Sequence, residues 1–159
     1  MQNKKIISLD LFQETIEKAK TSKRKRANYN FHDLSEVYQR FLNVLIRGTY
    51  IRPHKHSKPP KPETFISLKG NFGFFLFDDS GKITEKYLVS SEGPIYGIDV
   101  SPNVWHSAIC LSDYCVCFEG KSGPYNPSED KLFASWAPEE ESEGVQKYLE
   151  YLESLFGCL

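Results

Sequence analysis

The sequence lacks the long apolar runs of a membrane protein. None of its apolar stretches approaches the roughly 18 residues that a membrane-spanning helix requires. The N-terminal residues, MQNKKIISLDLF, also lack the apolar centre of a signal peptide. We therefore expect a cytoplasmic protein that has no membrane partner.

An excess of charge of either sign is also missing. The chain has 20 Lys and Arg residues against 21 Asp and Glu residues, and its formal net charge is −1. Because no overall basic field attracts nucleic acid or an anionic membrane, we expect no nucleic-acid partner and favour a small-molecule ligand.

Cysteine pairs of the CxxC kind are absent. The four cysteines are Cys110, Cys115, Cys117 and Cys158. In a reducing compartment such residues are expected to be buried thiols that pack as small apolar side chains.

The chain does contain enough apolar material for one domain, which we assign to 1–159. Of the 159 residues, 40% are hydrophobic and 14% aromatic, enough to fill a core. Apolar residues recur at helical spacing near both ends and predict an N-terminal helix over 8–23 and a C-terminal helix over 142–157. Ser8 or Asp10 is available to cap the first helix, and Ser142 the second.

The signals between the two helices are those of β-strands. A dense apolar run at 41–46 is followed by alternating or aromatic-rich segments that turn residues separate, such as DDSGK at 78–82. About seven or eight short strands over 39–120 indicate an antiparallel sandwich or barrel. The residues 121–141, punctuated by proline and glycine, are interpreted as a crossing segment.

Basic residues cluster between the predicted N-terminal helix and the first predicted strand. They are Lys20, Lys23, Arg24, Lys25 and Arg26. The cluster is compatible with a solvated linker or with a site that pairs with anionic groups such as phosphate.

The stretch from Gly48 to Gly70 concentrates residue types that bind metals. His54 and His56 lie two positions apart in an extended segment, so their imidazoles project from the same face. If the chain returns as a second strand, Glu63 adds a carboxylate oxygen. This mixed set suits iron, manganese, zinc or nickel.

A third imidazole is available on a later predicted strand. His106 shares its face with Cys110, which either tunes a nearby ion or fills the barrel. The predicted ligands of one divalent transition metal ion are His54, His56, Glu63 and His106. Four ligands leave one or two positions open for water or substrate, as a catalytic site requires.

The position of Glu63 depends on the loop that precedes it. Six residues, SKPPKP, separate His56 from Glu63, and the three prolines make that loop stiff and extended. A site of three histidines with Glu63 turned away is therefore the alternative.

These residues also carry a resemblance to a known family. Gly48 to Gly70 and Gly97 to Cys110 resemble the two metal-binding motifs of cupins, and more specifically the chain resembles the WbuC family of cupin-fold metalloproteins, found among bacterial surface-polysaccharide (O-antigen) genes. The blocks that carry the match are 26–32, 39–43, 48–56, 77–81, 102–106 and 123–138. The resemblance implies a mainly β fold, the cupin double-stranded β-helix, with flanking helices, and it makes a homodimer a mild expectation.

The function that the resemblance implies is metal-dependent action on a small polar molecule. A sugar or nucleotide-sugar in O-antigen biosynthesis is the first expectation, with an isomerase-like or epimerase-like reaction. Two alternatives remain: a non-catalytic module that binds a sugar or anion through the metal, and an iron-dependent dioxygenase.

Further polar and aromatic residues are candidates for contact with that molecule. The catalytic candidates are His32, Glu119 and Tyr125, and the substrate-binding candidates are Arg40, Tyr50, Arg52 and Tyr125. The substrate-binding candidates are equally compatible with packing or a surface ion pair, and His32 with a hydrogen-bonded structural histidine. Trp105 and Trp136 are expected to pack in the core, with a sugar-binding wall as the alternative.

Overall fold

The structure is a computed structural model that describes residues 4–157, so Cys158 lies outside the described residues. Within this range there are two helices and ten strands. In chain order they are α1 (Leu9–Thr21), β1 (Arg26–Asn30), β2 (Tyr38–Ile46), β3 (His54–Lys55), β4 (Glu63–Lys69), β5 (Asn71–Phe77), β6 (Ile83–Ser90), β7 (Gly97–Val100), β8 (Trp105–Cys110), β9 (Tyr114–Ser122), β10 (Leu132–Phe133) and α2 (Gly144–Ser154).

The strands form two antiparallel sheets of five strands each. The first sheet has the order β1-β2-β9-β4-β7, and the second has the order β10-β3-β8-β5-β6. A core cluster made of residues from both sheets, such as Phe65 and Cys117 of the first and Phe74 of the second, fills the space between them. The fold is therefore a jelly-roll-like β-sandwich, the architecture expected of a cupin.

Each helix covers the outer face of one sheet. The buried side of α1, which includes Phe12 and Ile16, packs on Leu42 and Val116 of the first sheet. The helix begins as predicted, because the Ser8 side chain accepts a hydrogen bond from the Leu11 N–H at 3.3 Å.

The C-terminal helix α2 packs in the same way on the second sheet. Leu149 and Leu152 are buried against β5 and β8, where they meet Phe75 and Ile109. The predicted cap at Ser142 is wrong: α2 begins at Gly144, and no side chain caps it.

The strand β1 was missed in the sequence, where its residues were interpreted as a linker or an anion site. It pairs with β2 along its whole length, from Arg26 opposite Leu45 to Asn30 opposite Phe41. Its sequence, RANYN, has only two apolar residues, Ala27 and Tyr29, which pack beside α1, while Asn28 and Asn30 line a polar cavity, so its apolar signal is weak.

The basic cluster is bound to acidic residues of the crossing segment. Lys23 lies 2.7 Å from Glu141, and Arg26 lies 2.6 Å from Glu140. The interpretation as a solvated linker is therefore wrong for Arg26, whose side chain is only 14% exposed.

The cysteines that the structure describes are free and buried. Cys110, Cys115 and Cys117 lie in the core between the sheets. A hydrogen bond with Cys110 and burial raise the pKa of the Cys115 thiol, and burial raises the pKa of Cys117, so both stay protonated. As for the helices, neither α1 nor α2 is long and apolar enough to span a membrane.

Candidate metal centre

Four side chains from both sheets meet between β3, β4 and β8. His54 on β3 and His106 on β8 are directly opposite in the second sheet, and Glu63 begins β4 in the first sheet. His56 follows β3. All four residues are between 2% and 4% exposed, and we call them the histidine–glutamate cluster, or the cluster for short.

The spacing of the cluster fits a single small cation. One potential ligand atom from each residue lies within 4.8 Å of all the others. The two Glu63 oxygens are each 3.0 Å from an imidazole nitrogen, Oε1 from His56 Nε2 and Oε2 from His106 Nε2. Two ligand atoms about 2.1 Å from one ion and at right angles to each other are about 3.0 Å apart. Glu63 is thus turned toward the histidines rather than away from them.

Main-chain carbonyl groups orient all three imidazoles. His54 Nδ1 lies 2.9 Å from Arg52 O, His106 Nδ1 lies 2.9 Å from Val104 O, and His56 Nδ1 contacts Asp130 O. A carbonyl oxygen only accepts, so each Nδ1 carries a proton and each Nε2 is the ring nitrogen that faces the cluster. This is the arrangement by which proteins prepare histidine to bind a metal.

The polar atoms inside the cluster suit a cation. His56 Nε2 and Glu63 Oε1 are 3.0 Å apart, and neither makes a hydrogen bond among the described residues, although the Lys121 ammonium lies 3.3 Å from Glu63 Oε1 as an ion pair. Buried polar atoms without partners cost about 1 to 3 kcal/mol each. A divalent ion between these atoms removes this cost, so the residues present fit a metal.

The ionisation states also suit a metal. Burial and the charge of Lys131 hold the pKa of His54 well below its ordinary value, so the ring is neutral. Burial alone would raise the pKa of Glu63, but His106, His56 and the Lys121 ammonium outweigh it and hold that pKa well below the usual range. The cluster therefore presents a neutral imidazole at His54 and an ionised carboxylate at Glu63.

Aromatic rings exclude water from one side of the cluster. The Phe74 ring stacks on His106, with 5.8 Å between ring centroids and 8° between the planes. The Phe65 ring, 8% exposed, lies 6.2 Å from the His106 ring between centroids. Phe133, 6.1 Å from His54, is 45% exposed and belongs to the cavity wall instead. A dry wall on this side strengthens the electrostatic attraction between the ligand atoms and a cation.

Next to the cluster, on its β1 side, is a cavity of about 490 Å³. Two residues of its wall touch the cluster: Lys121, whose Nζ is 3.3 Å from Glu63 Oε1, and Asp130, whose carbonyl contacts His56. The sequence interpretation missed both residues because lysine and aspartate are rarely buried. The sequence does contain one signal for Lys121. It lies two positions after Glu119 on β9, so alternation places both side chains on the same face of the strand.

Three predicted residues line this cavity. Glu119 is buried and accepts a hydrogen bond from Asn43 Nδ2 at 2.9 Å. Burial and the charge of Glu63 raise the pKa of Glu119 to about 7. His32 is held by the Arg40 main-chain N–H, which donates to its Nδ1 at 2.9 Å, and Tyr125 lies in an exposed part of the wall.

The other predicted substrate-binding residues have structural partners away from this cavity. Arg40 lies between inward-facing residues of β2, so it projects outward and pairs with Glu36 at 2.8 Å. Arg52 donates two hydrogen bonds to Ala134 O, at 3.1 and 2.8 Å. Tyr50 donates to Pro138 O at 2.8 Å, and burial raises its pKa.

The two tryptophans do not line the cavity either. Trp136 packs on Phe77, with 5.1 Å between ring centroids, and Trp105 lies 6.1 Å from Trp136. Both belong to the layer between the second sheet and α2. The aromatic residues of the cavity wall are instead Phe41, Tyr125 and Phe133.

Comparison with known families identifies the chain. The model of a family described as a domain of unknown function (DUF6016) matches residues 7–89, slightly more than half of the chain. The chain belongs to the DUF6016 family. The matched part of this DUF6016 chain contains His54, His56 and Glu63, whereas His106 follows it. No curated protein matches the sequence.

Solved structures share the fold. The capsular polysaccharide assembling protein CapF from Staphylococcus aureus is 20% identical with a TM-score of 0.60, over 71% of this chain and 32% of the CapF chain. The chain thus spans about a third of CapF. The SPY1581 protein of unknown function from Streptococcus pyogenes is 14% identical with a TM-score of 0.55, over 79% of this chain and 93% of its own. The likeness to CapF shows a cupin fold.

Proposed function

We propose that this protein is a metal-binding cupin of the WbuC type. In this proposal His54, His56, Glu63 and His106 hold one divalent transition metal ion. The observation that carries it is the convergence of three imidazole Nε2 atoms and one ionised carboxylate, with every Nδ1 tied to a main-chain carbonyl. A metal ion would pair these buried polar groups with one another.

The adjacent cavity supports action on a small polar molecule. A volume of about 490 Å³ accommodates a ligand of the size of a sugar, and the wall offers amide, carboxyl and ammonium groups, such as Asn28, Asn43, Glu119 and Lys121. When bound, a divalent ion polarises a ligand oxygen or lowers the pKa of a bound water. Glu119, whose pKa burial and the charge of Glu63 raise to about 7 in the metal-free protein, is the carboxyl group of the cavity wall that could take or give a proton.

The proposed context is bacterial surface-polysaccharide (O-antigen) biosynthesis, with a sugar or nucleotide-sugar as ligand. The WbuC-like sequence blocks support this, and so does the fold likeness to a capsular polysaccharide assembling protein.

Elemental analysis of the purified protein tests the metal proposal. We expect about one divalent ion per chain in the wild type and loss of that ion in His106→Ala, because three remaining ligands bind more weakly. The matched control is His32→Ala, which removes a buried histidine outside the cluster and should keep the metal. Circular dichroism verifies that both variants fold.

One outcome would contradict the proposal, and a second experiment would refine it. A folded wild type that takes up no metal after incubation with Fe²⁺, Mn²⁺, Zn²⁺ and Ni²⁺ removes the metal centre. If metal binds, incubation with nucleotide-linked hexoses followed by proton NMR separates an enzyme from a binding module. Conversion that His106→Ala abolishes supports the enzyme, whereas unchanged hexoses that bind only to the loaded protein support the module.

A further inference from the structure

One segment forms part of the cavity wall and is bound to the rest of the protein mainly near its two ends. We call Gly123–Lys131, between β9 and β10, the strap. Four of its residues line the cavity, and the six residues 124–129 are all exposed. At its N-terminal end, the main-chain N–H groups of Gly123 and Tyr125 donate to carbonyls that precede β2, at 2.7 and 2.8 Å.

Asp130 fixes the other end of the strap. Its carboxylate lies between two buried ammonium groups, with Oδ1 3.5 Å from Lys61 Nζ and Oδ2 2.9 Å from Lys121 Nζ. The three side chains are 5%, 3% and 6% exposed. Charges this deeply buried are stable only when paired, and loss of Asp130 would leave Lys61 without its carboxylate partner and Lys121 with Glu63 alone.

Asp130 is also connected to two residues of the histidine–glutamate cluster, His56 and Glu63. The Asp130 carbonyl contacts His56 Nδ1 and so sets the orientation of that ring. Through Lys121, its carboxylate is linked to Glu63 Oε1, which is 3.3 Å from the Lys121 ammonium. Lys61, the second partner, lies in the loop that joins His56 to Glu63 and also donates to Pro124 O of the strap at 3.2 Å.

These contacts connect the charge of the metal site to the strap. Without an ion, the Lys121 ammonium is shared between Glu63 and Asp130. A cation at the cluster attracts the Glu63 carboxylate, and Asp130 then becomes the principal counter-ion of Lys121. The ion pair that holds the strap is therefore stronger when the cluster is filled.

We propose that Asp130 is a positioning residue that couples closure of the strap over the cavity to metal binding. This inference rests on the proposed metal centre. Because coupling between two equilibria is reciprocal, a metal that tightens the strap must also bind more weakly when the anchor of the strap is lost. A ligand would then enter the cavity before the strap closes on the loaded site.

The test compares two variants on the same strap with Zn²⁺ as the probe. Asp130→Asn keeps the shape and the carbonyl of the residue but removes its charge, whereas Glu129→Gln makes the same change at an exposed neighbour. Competition with a chromophoric chelator should give a Zn²⁺ affinity about 10- to 100-fold weaker for Asp130→Asn. The affinity of Glu129→Gln should stay within about twofold of the wild type.

Hydrogen exchange can be measured on the wild type, so its result does not depend on whether a variant folds. Saturating Zn²⁺ should slow amide exchange in a peptide that covers 123–131 by about tenfold, because the strap opens less often. The effect should be smaller in Asp130→Asn. Because metal binding stabilises the whole fold, a role of Asp130 in stability alone would slow exchange in the strap no more than in a distant peptide such as 144–154, whereas coupling slows the strap more.

The outcomes separate this inference from the proposed function. If the wild type binds Zn²⁺ but strap exchange is unchanged, and Asp130→Asn binds as tightly as Glu129→Gln, the coupling is overturned and the metal centre remains. If Asp130→Asn does not fold, the exchange measurement on the wild type decides alone. A wild type that binds no metal overturns both.

Discussion

Glu119 is a carboxyl group in an unusual electrostatic position. It is 5% exposed, and both burial and the nearby charge of Glu63 disfavour its ionised form. Its pKa is therefore raised from 4.5 to about 7. Asn43 donates to one of its oxygens, while Asn43 Oδ1 has no donor in the described structure. A protonated Glu119 is suited to this site, since it both accepts and donates.

The raised pKa predicts a pH-dependent stability difference. In metal-free protein the folded state holds the Glu119 proton up to about pH 7, whereas the unfolded chain releases it near pH 4.5. The stabilisation is thus complete below pH 4.5 and is lost as pH rises through 7. As the pH rises from 4.5 to 8, the wild type should therefore lose on the order of 2 to 3 kcal/mol in the free energy of unfolding relative to Glu119→Gln, which has no such proton to release.

Urea unfolding at several pH values measures this difference. Repeating the series with saturating Zn²⁺ provides the comparison, because an ion beside Glu63 offsets the charge that raises the Glu119 pKa. The loss should then be smaller. A difference between Glu119→Gln and the wild type that is constant with pH in the metal-free protein would contradict the assignment.

At the scale of elements, α2 is a stabilising cover for the second sheet. Leu152 is fully buried beside Phe75 and Ile109, while the neighbouring Tyr151 is 51% exposed. Leu152→Ala leaves a cavity that α2 and the sheet cannot fill. We expect it to cost about 2 to 5 kcal/mol in the free energy of unfolding.

Chemical denaturation of Leu152→Ala and Tyr151→Ala checks this expectation. Truncation of the exposed Tyr151 should cost less than about 1 kcal/mol. Equal costs for the two variants would mean that α2 does not pack on the sheet through the Leu149 and Leu152 face.

The elements that the sequence predicted are those with strong apolar patterns. The helices α1 and α2 and the aromatic strand β5 carry the periodicity of a buried face, and DDSGK closes the β5–β6 hairpin as predicted. The strands β1 and β10 were missed. Both are at sheet edges: β10 has only two residues, and β1 has only Ala27 and Tyr29 as apolar residues opposite a polar cavity, so the apolar signal of each is short.

At the scale of the whole molecule, the cluster joins the two sheets. Glu63 belongs to the first sheet, and His54 and His106 belong to the second. An ion held by all of them binds the folded chain but not the unfolded one. Metal binding should therefore stabilise the whole fold.

Thermal unfolding in Zn²⁺ and in EDTA tests this stabilisation. At a free Zn²⁺ concentration of about 100 times the Kd, the wild type should gain about 2.7 kcal/mol, which corresponds to about 5 to 10 °C in Tm. The shift should vanish in His54→Ala and persist in His32→Ala. A Tm that is the same in Zn²⁺ and in EDTA would exclude binding across the two sheets.

The sequence by itself determined which residue types are available and how they alternate. Two histidines at a spacing of two, a later glutamate and a third histidine on a strand are enough to propose a metal, and apolar periodicity is enough for the β fold and its helices. Alternation also places Glu119 on one face of its strand. None of this requires knowledge of which strands are neighbours.

Only the tertiary structure decided how distant residues meet. Whether Glu63 turns toward the histidines depends on where a stiff loop ends, and the partners of Lys61, Lys121 and Asp130 come from three separate segments. Local pattern cannot encode such contacts, because each charge is stable inside the protein only when its partners are brought beside it by the closure of the two sheets.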